Sequence, residues 1–141
     1  MSCPACGEVR VVFPVPERYR EYAPDGASVA TICPRCLVVD VPGDDELEGA
    51  PAAGEPKSDP EFDRLGDAFP TRPNRAIPLA LAIGLSSSLA TNRAAIAALL
   101  EETERAGADP LLALDRLLAE PTVEPAVDLE RRRHQFEQLL Y

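Results

Sequence analysis

Cys3-Pro4-Ala5-Cys6-Gly7 and Cys33-Pro34-Arg35-Cys36 contain every cysteine of this 141-residue chain. Four thiolates in two C-x-x-C pairs can surround one tetrahedral Zn²⁺. Each pair closes a tight turn in which the second thiolate is expected to accept hydrogen bonds from nearby backbone N–H groups. Gly7 suits such a turn, because the residue after the second cysteine often needs an unusual φ. The two knuckles therefore say how the N-terminal part is held together, and they leave its function open.

Other uses of the four cysteines fit less well. An iron site built on two similarly spaced knuckles usually has glycine after both, and Leu37 follows the second one here. Two disulfides would imply an oxidising compartment, and with the first knuckle at the start of the sequence no export signal is expected. A catalytic zinc needs an open coordination position, whereas four thiolates close the shell. A structural Zn²⁺ on Cys3, Cys6, Cys33 and Cys36 is the expectation. It would contribute on the order of 10–16 kcal/mol of apparent folding free energy to a segment too short to bury a sufficient core alone.

Around the knuckles the sequence alternates as strands do. Val9, Val11 and Phe13 follow the first pair, Ser28 to Ile32 lead into the second, and Leu37 to Val41 leave it. β-branched runs bounded by Pro and Gly are strand signals, and three such strands clamped by metal make a zinc ribbon over residues 1–41. Pro24-Asp25-Gly26 reads as a turn. Tyr19 and Tyr22, with Arg18 and Arg20, lie on the intervening loop and are expected mainly to cover the thin core.

Residues 42–58, PGDDELEGAPAAGEPKS, have no apolar period and read as an acidic Pro/Gly-rich linker. Asp59-Pro60-Glu61 then looks like a helix start, followed by an apolar stripe of Phe62, Leu65 and Phe69. From Ile77 to Arg105 a 3.6-residue period continues across Ser86-Ser87-Ser88. It supports one long helix kinked near Gly84, or else two helices with a serine capping the second. Gly107 ends that region. Asp109-Pro110 opens a leucine-rich helix that stops before Pro121, and a last helix is expected from about Pro125 to Leu140. Residues 59–141 thus predict a small helical bundle. The apolar run from Ala76 to Leu85 is shorter than the ~20 residues of a membrane span and reads as a buried helix.

The net charge is −10, with one lysine against thirteen arginines. An acidic, lysine-poor surface suits a salt-rich cytoplasm, so the acidity reports habitat more than a partner. The ribbon carries four Arg against five Asp and Glu and is the least acidic part. Arg131-Arg132-Arg133-His134 is the basic cluster. Its i, i+4 partners, Asp128 for Arg132 and Glu137 for Arg133, make it a charge-paired helix face. His134, the single histidine, is not expected to be a ligand. No P-loop, G-x-G-x-x-G or G-x-S-x-G occurs, and no catalytic constellation is visible.

The knuckles at Cys3, Cys6, Cys33 and Cys36, together with NRAAIAALLEETERAGADPLLALDRLL (Asn92 to Leu118), make the chain similar to one group of small haloarchaeal proteins. It resembles an uncharacterised family of CPxCG-type zinc-ribbon proteins with a C-terminal helical region. The resemblance implies a zinc site and a salt-adapted cytoplasm, and it implies no reaction.

The expectation is an α+β protein, a three-stranded zinc ribbon followed by a helical bundle over 59–141. It is a non-enzymatic adaptor with one Zn²⁺ per chain, whose helices bind another protein or a second copy, away from membranes. The alternative is a nucleic-acid-associated ribbon using Arg10, Arg18, Arg20, Arg35 and the two tyrosines. A rubredoxin-like electron carrier is the third reading.

Overall fold

The structure, a computed structural model, describes residues 8–42, 62–66, 69–121, 123–125 and 128–140. The fold is α+β, with a small antiparallel sheet followed by helices.

Alternation places β1 (Val11–Pro14) with Val11 and Phe13 in the core. β2 (Val29–Ile32) is buried along its whole length because it is the central strand. It pairs with β1 in the register Val11 to Ile32 and Phe13 to Ala30, and with β3 (Val39–Asp40) in the register Ile32 to Val39. The buried Thr31 hydroxyl donates to Asp40 O at 3.1 Å, which satisfies a polar group on an otherwise apolar strand. Two expectations for the strands are corrected. Val9 forms only an isolated bridge and is 60% exposed, and Leu37 and Val38 precede β3 instead of forming it. Leu37 leaves the strand geometry because its φ is +63°.

The loop between β1 and β2 forms two 3₁₀ turns, Glu17–Tyr22 and Pro24–Gly26. Asp25 and Gly26 both take positive φ at the expected turn. Tyr19 is buried in the main core and Tyr22 packs on its margin, so the tyrosines do cover the core. Burial pushes the Tyr19 phenol above its ordinary pKa, against the opposing pull of Arg18, and its hydrogen bond to Glu102 adds to the rise. Burial also raises Tyr22, reinforced by Glu21. Neutral phenols therefore stabilise the fold fully below the unfolded tyrosine pKa of about 10. That contribution is lost as pH rises through the higher folded values. The unfolding midpoint is expected to fall above about pH 10, and to fall less steeply in Tyr19→Phe.

In the helical half, a 3₁₀ turn at Phe62–Leu65 buries both its ends. Phe69 is buried with them, but the expected helix does not carry all three: the turn ends at Leu65, Gly66 takes a φ of +118° and Phe69 is not helical. The proposed start at Asp59-Pro60-Glu61 and nearly all of the acidic linker lie outside the described residues. Helix α1 (Pro73–Leu85) begins with proline at its first position, where a missing N–H costs nothing. It is buried from Ala76 to Ile83, the pattern of a helix enclosed by the rest of the fold. Among the described residues no helix is long and apolar enough to cross a membrane.

Of the two arrangements open for Ile77 to Arg105, one kinked helix or two helices, the structure has the second. A 3₁₀ turn at Ser86–Ser88 separates α1 from α2 (Leu89–Arg105). The two helices fold back on each other, since Arg75 near the start of α1 donates to Ala106 O at the end of α2 at 2.8 Å. The serines act on the first helix instead of capping the second. Ser86 and Ser87 hydroxyls donate to Ile83 O and Gly84 O, and Asn92 Nδ2 donates to Leu85 O at 3.2 Å. These bonds satisfy the terminal carbonyls of α1, while Ser88, at the N-cap of α2, makes no side-chain cap bond.

Gly107 ends α2 as expected, with φ +104°. Its N–H donates to Glu104 O and that of Ala108 to Thr103 O, which is the paired closure of a Schellman motif. Helix α3 (Pro110–Ala119) starts at Asp109, whose Oδ1 accepts from Leu111 N and Leu112 N at 3.1 Å each. Helix α4 (Leu129–Leu140) begins later than expected, after Asp128, whose Oδ1 accepts from Arg131 N. Arg133 pairs with Glu137 as predicted, and it also bridges to Asp115 on α3. Arg132 donates instead to Gln135.

One apolar cluster runs from Val11, Phe13 and Ile32 through Phe62 to Leu79, Ile96, Leu114 and Phe136. The sheet and the helices therefore share a core. They approach closely at Gly84 of α1, where an added Cβ would stand 2.6 Å from Cβ of Val39 on β3. A β-branched neighbour cannot retreat by rotating, so Gly84→Ala is expected to destabilise the protein by about 1–3 kcal/mol, despite alanine's better helix propensity. Denaturant titration checks this, and Val39→Ala introduced into the same chain should recover only part of the loss, because it removes the two methyl contacts and keeps the Cβ at 2.6 Å.

Candidate metal centre

Ile32 ends β2, and the chain turns at once into the second knuckle. Cys33 N donates to Val38 O at 3.0 Å, and Leu37 N donates to Cys33 O at 3.0 Å, closing the turn around Pro34 and Arg35. Leu37 takes a left-handed φ of +63°, a conformation that costs a side-chain-bearing residue roughly 1–2 kcal/mol. Leu37 is itself buried in the main core, which offsets that cost. The leucine thus occupies the backbone conformation for which glycine is the default, so its identity says nothing about which metal a knuckle would hold.

Both sulphurs of this knuckle are withdrawn from solvent. Cys33 is 0% and Cys36 is 6% exposed, and Val38 packs against them. Cys36 N donates to Cys33 Sγ at 3.4 Å. This hydrogen bond goes to the first sulphur of the pair. An N–H directed at sulphur favours the ionised form, because it stabilises the charge. Two buried thiols on one turn with such a bond have the chemistry of a soft-metal ligand pair. Cys3, Cys6 and Gly7 lie outside the described residues. Among the described residues no group of three or more His, Cys, Asp or Glu side chains could hold a metal ion. His134 is exposed on α4, beside Gln138 at 3.5 Å.

The knuckle is not isolated. Glu124 N donates to Arg35 O at 2.6 Å, and Arg35 Nη2 lies 3.1 Å from Glu124 Oε2. Pro34 and Arg35 line a cleft with Glu8, Arg64, Pro121 and Glu124, and across it Arg64 Nη2 donates to Val9 O at 2.7 Å. Residues 35 and 124 belong to opposite ends of the chain, and no motif marks Glu124 as a partner of the knuckle. A negative residue in the turn after a helical segment is too common to have singled it out.

The arginines proposed to face an anionic partner differ in their surroundings. Arg10 is buried, Arg20 Nε donates to Val15 O at 3.4 Å, and the Arg18 guanidinium lies 4.6 Å from the Tyr19 ring centroid. Arg35 is held by Glu124 as above.

Residues 2–140 match the model of a family of unknown function, DUF6276. The chain belongs to that family. The DUF6276 match spans the sheet and all four helices, so the family is defined over the whole arrangement and not over the knuckles alone. No curated protein and no solved structure matches the chain.

Proposed function

We propose that this is a non-enzymatic zinc-binding protein in which Cys3, Cys6, Cys33 and Cys36 hold one structural Zn²⁺, and whose helical half engages another protein or a second copy of itself. On this reading the three-stranded sheet is a zinc ribbon, and the acidic, lysine-poor composition is an adaptation to a salt-rich cytoplasm. The observation that carries the metal reading is the second knuckle: two buried sulphurs on one closed turn, with a backbone N–H directed at Cys33 Sγ. The ion would supply a cross-link between the strands and no chemistry of its own. The adaptor reading draws on Leu112 and Leu118 of α3, which are 50% and 42% exposed although each is large and apolar.

Elemental analysis with a visible spectrum, on untagged protein purified without added metal, tests the first part. One zinc per chain and no colour is the expected result. Iron with a thiolate charge-transfer band would replace the structural reading by an electron-transfer one. Light scattering tests the second part: a monomer at all concentrations, with no partner recovered by affinity purification in high salt, would remove the adaptor.

A further inference from the structure

Arg35 stands between two thiols of the proposed zinc site, and it is held twice by one residue of the connection between α3 and α4. Its carbonyl accepts the Glu124 N–H at 2.6 Å, and its guanidinium reaches the Glu124 carboxylate at 3.1 Å. The side chains of this ion pair are 41% and 68% exposed, so the charge interaction alone contributes little. The backbone bond matters more, because it requires the Arg35 peptide to face Glu124. That orientation is the one the knuckle dictates, through Cys33 N to Val38 O and Leu37 N to Cys33 O on either side. The receiving segment is anchored in turn. Val123 packs on the main core and its N–H donates to Glu120 O, and Asp128 caps α4 four residues after Glu124.

We infer that the second knuckle is a metal-dependent latch on the helical half: metal capture by Cys33 and Cys36 fixes the Arg35 peptide where it receives Glu124, and this holds Val123 and Glu124 beside the knuckle. The inference rests on the metal reading above. It makes Arg35 and Glu124 positioning residues for a site they do not ligate. Linkage then requires reciprocity: if metal favours the latch, breaking the latch must weaken metal binding by the same factor.

The test is zinc affinity of the full chain by competition with a chromophoric chelator. Arg35→Ala removes the side-chain half of the latch, and Glu124→Pro removes the N–H and the carboxylate together. A general loss of stability also weakens metal capture, so Asp109→Ala, which removes the α3 cap far from the knuckle, is the reference. The expected result is binding at least fivefold weaker than the reference in Glu124→Pro, with a smaller loss in Arg35→Ala, which keeps the backbone bond. The double variant should lose no more than the worse single one, because both act through one contact. Should Glu124→Pro fail to fold, the chain carrying the α-hydroxy analogue of glutamate at position 124, which removes only the N–H, takes its place. An affinity within twofold of the reference in the variant that lacks this N–H, or fully additive losses, would overturn the latch. A wild-type chain that takes up no zinc at all would instead overturn the metal reading beneath it.

Discussion

On the proposed zinc reading, stripping the metal with a chelator, or replacing Cys33 by serine, is expected to unfold the sheet and the helices in one transition. The reason lies in the shared core. Ile32, which ends at the knuckle, belongs to the same apolar cluster as Leu79, Ile96 and Phe136. Leu37, held in a strained left-handed conformation by the knuckle, also contributes its side chain to that cluster. Once the turn is released, the strain no longer has a reason to persist and Leu37 leaves the core. Structural zinc is worth on the order of 10–16 kcal/mol apparent near neutral pH, against a total stability of about 5–15 kcal/mol for an ordinary domain. Far-UV circular dichroism of the stripped chain should lose most of its helical signal, and the signal should return when zinc is added back. Helical signal retained in chelator, with an unchanged denaturant midpoint, would mean that the helices fold without the knuckles.

Phe62→Ala is expected to cost about 3–5 kcal/mol. Phe62 is fully buried, with its ring centroid 5.4 Å from that of Phe13 on β1 and 6.0 Å from that of Phe69. The chain has four phenylalanines and no tryptophan, and all four phenylalanines are buried, so little other aromatic volume is available to refill the space. The lost ring would leave a cavity where sheet and helices meet, bounded by β-strand and helix backbones that cannot both relax. Urea titration of the metal-loaded protein measures the loss. Phe62→Leu should cost clearly less, because it keeps most of the apolar volume. A loss below about 1 kcal/mol in Phe62→Ala would show that the site collapses freely and that Phe62 does not join the two halves.

Particular residues explain what could be read in advance. The cap at Asp109 and the glycine stop at Gly107 each depend on neighbours a few positions away, and each is found as expected. The period alone did not separate one helix from two over Ile77 to Arg105, because Leu85, Leu89 and Asn92 keep it across the serines while the side chains of Ser86 and Asn92 hydrogen-bond the last carbonyls of α1. Val9 keeps the parity of Val11 and Phe13 but lies outside the strand, where parity no longer dictates burial. At the candidate site the cysteine spacing was legible, because two ligands on one turn need that spacing. The Arg35–Glu124 contact was not, because neither residue type nor separation announces it.

The sequence by itself determined the α+β class, the buried character of α1 and the start and stop of α3, all of which follow from periodicity and capping over one or two turns. Only the tertiary structure decided that α1 and α2 fold back on each other, that β3 lies against Gly84, that Leu37 takes a left-handed turn and that Arg35 meets Glu124. These depend on which surfaces come together once the apolar faces are buried. Burial is a property of the whole chain, and local pattern shows which face must be covered without naming what covers it.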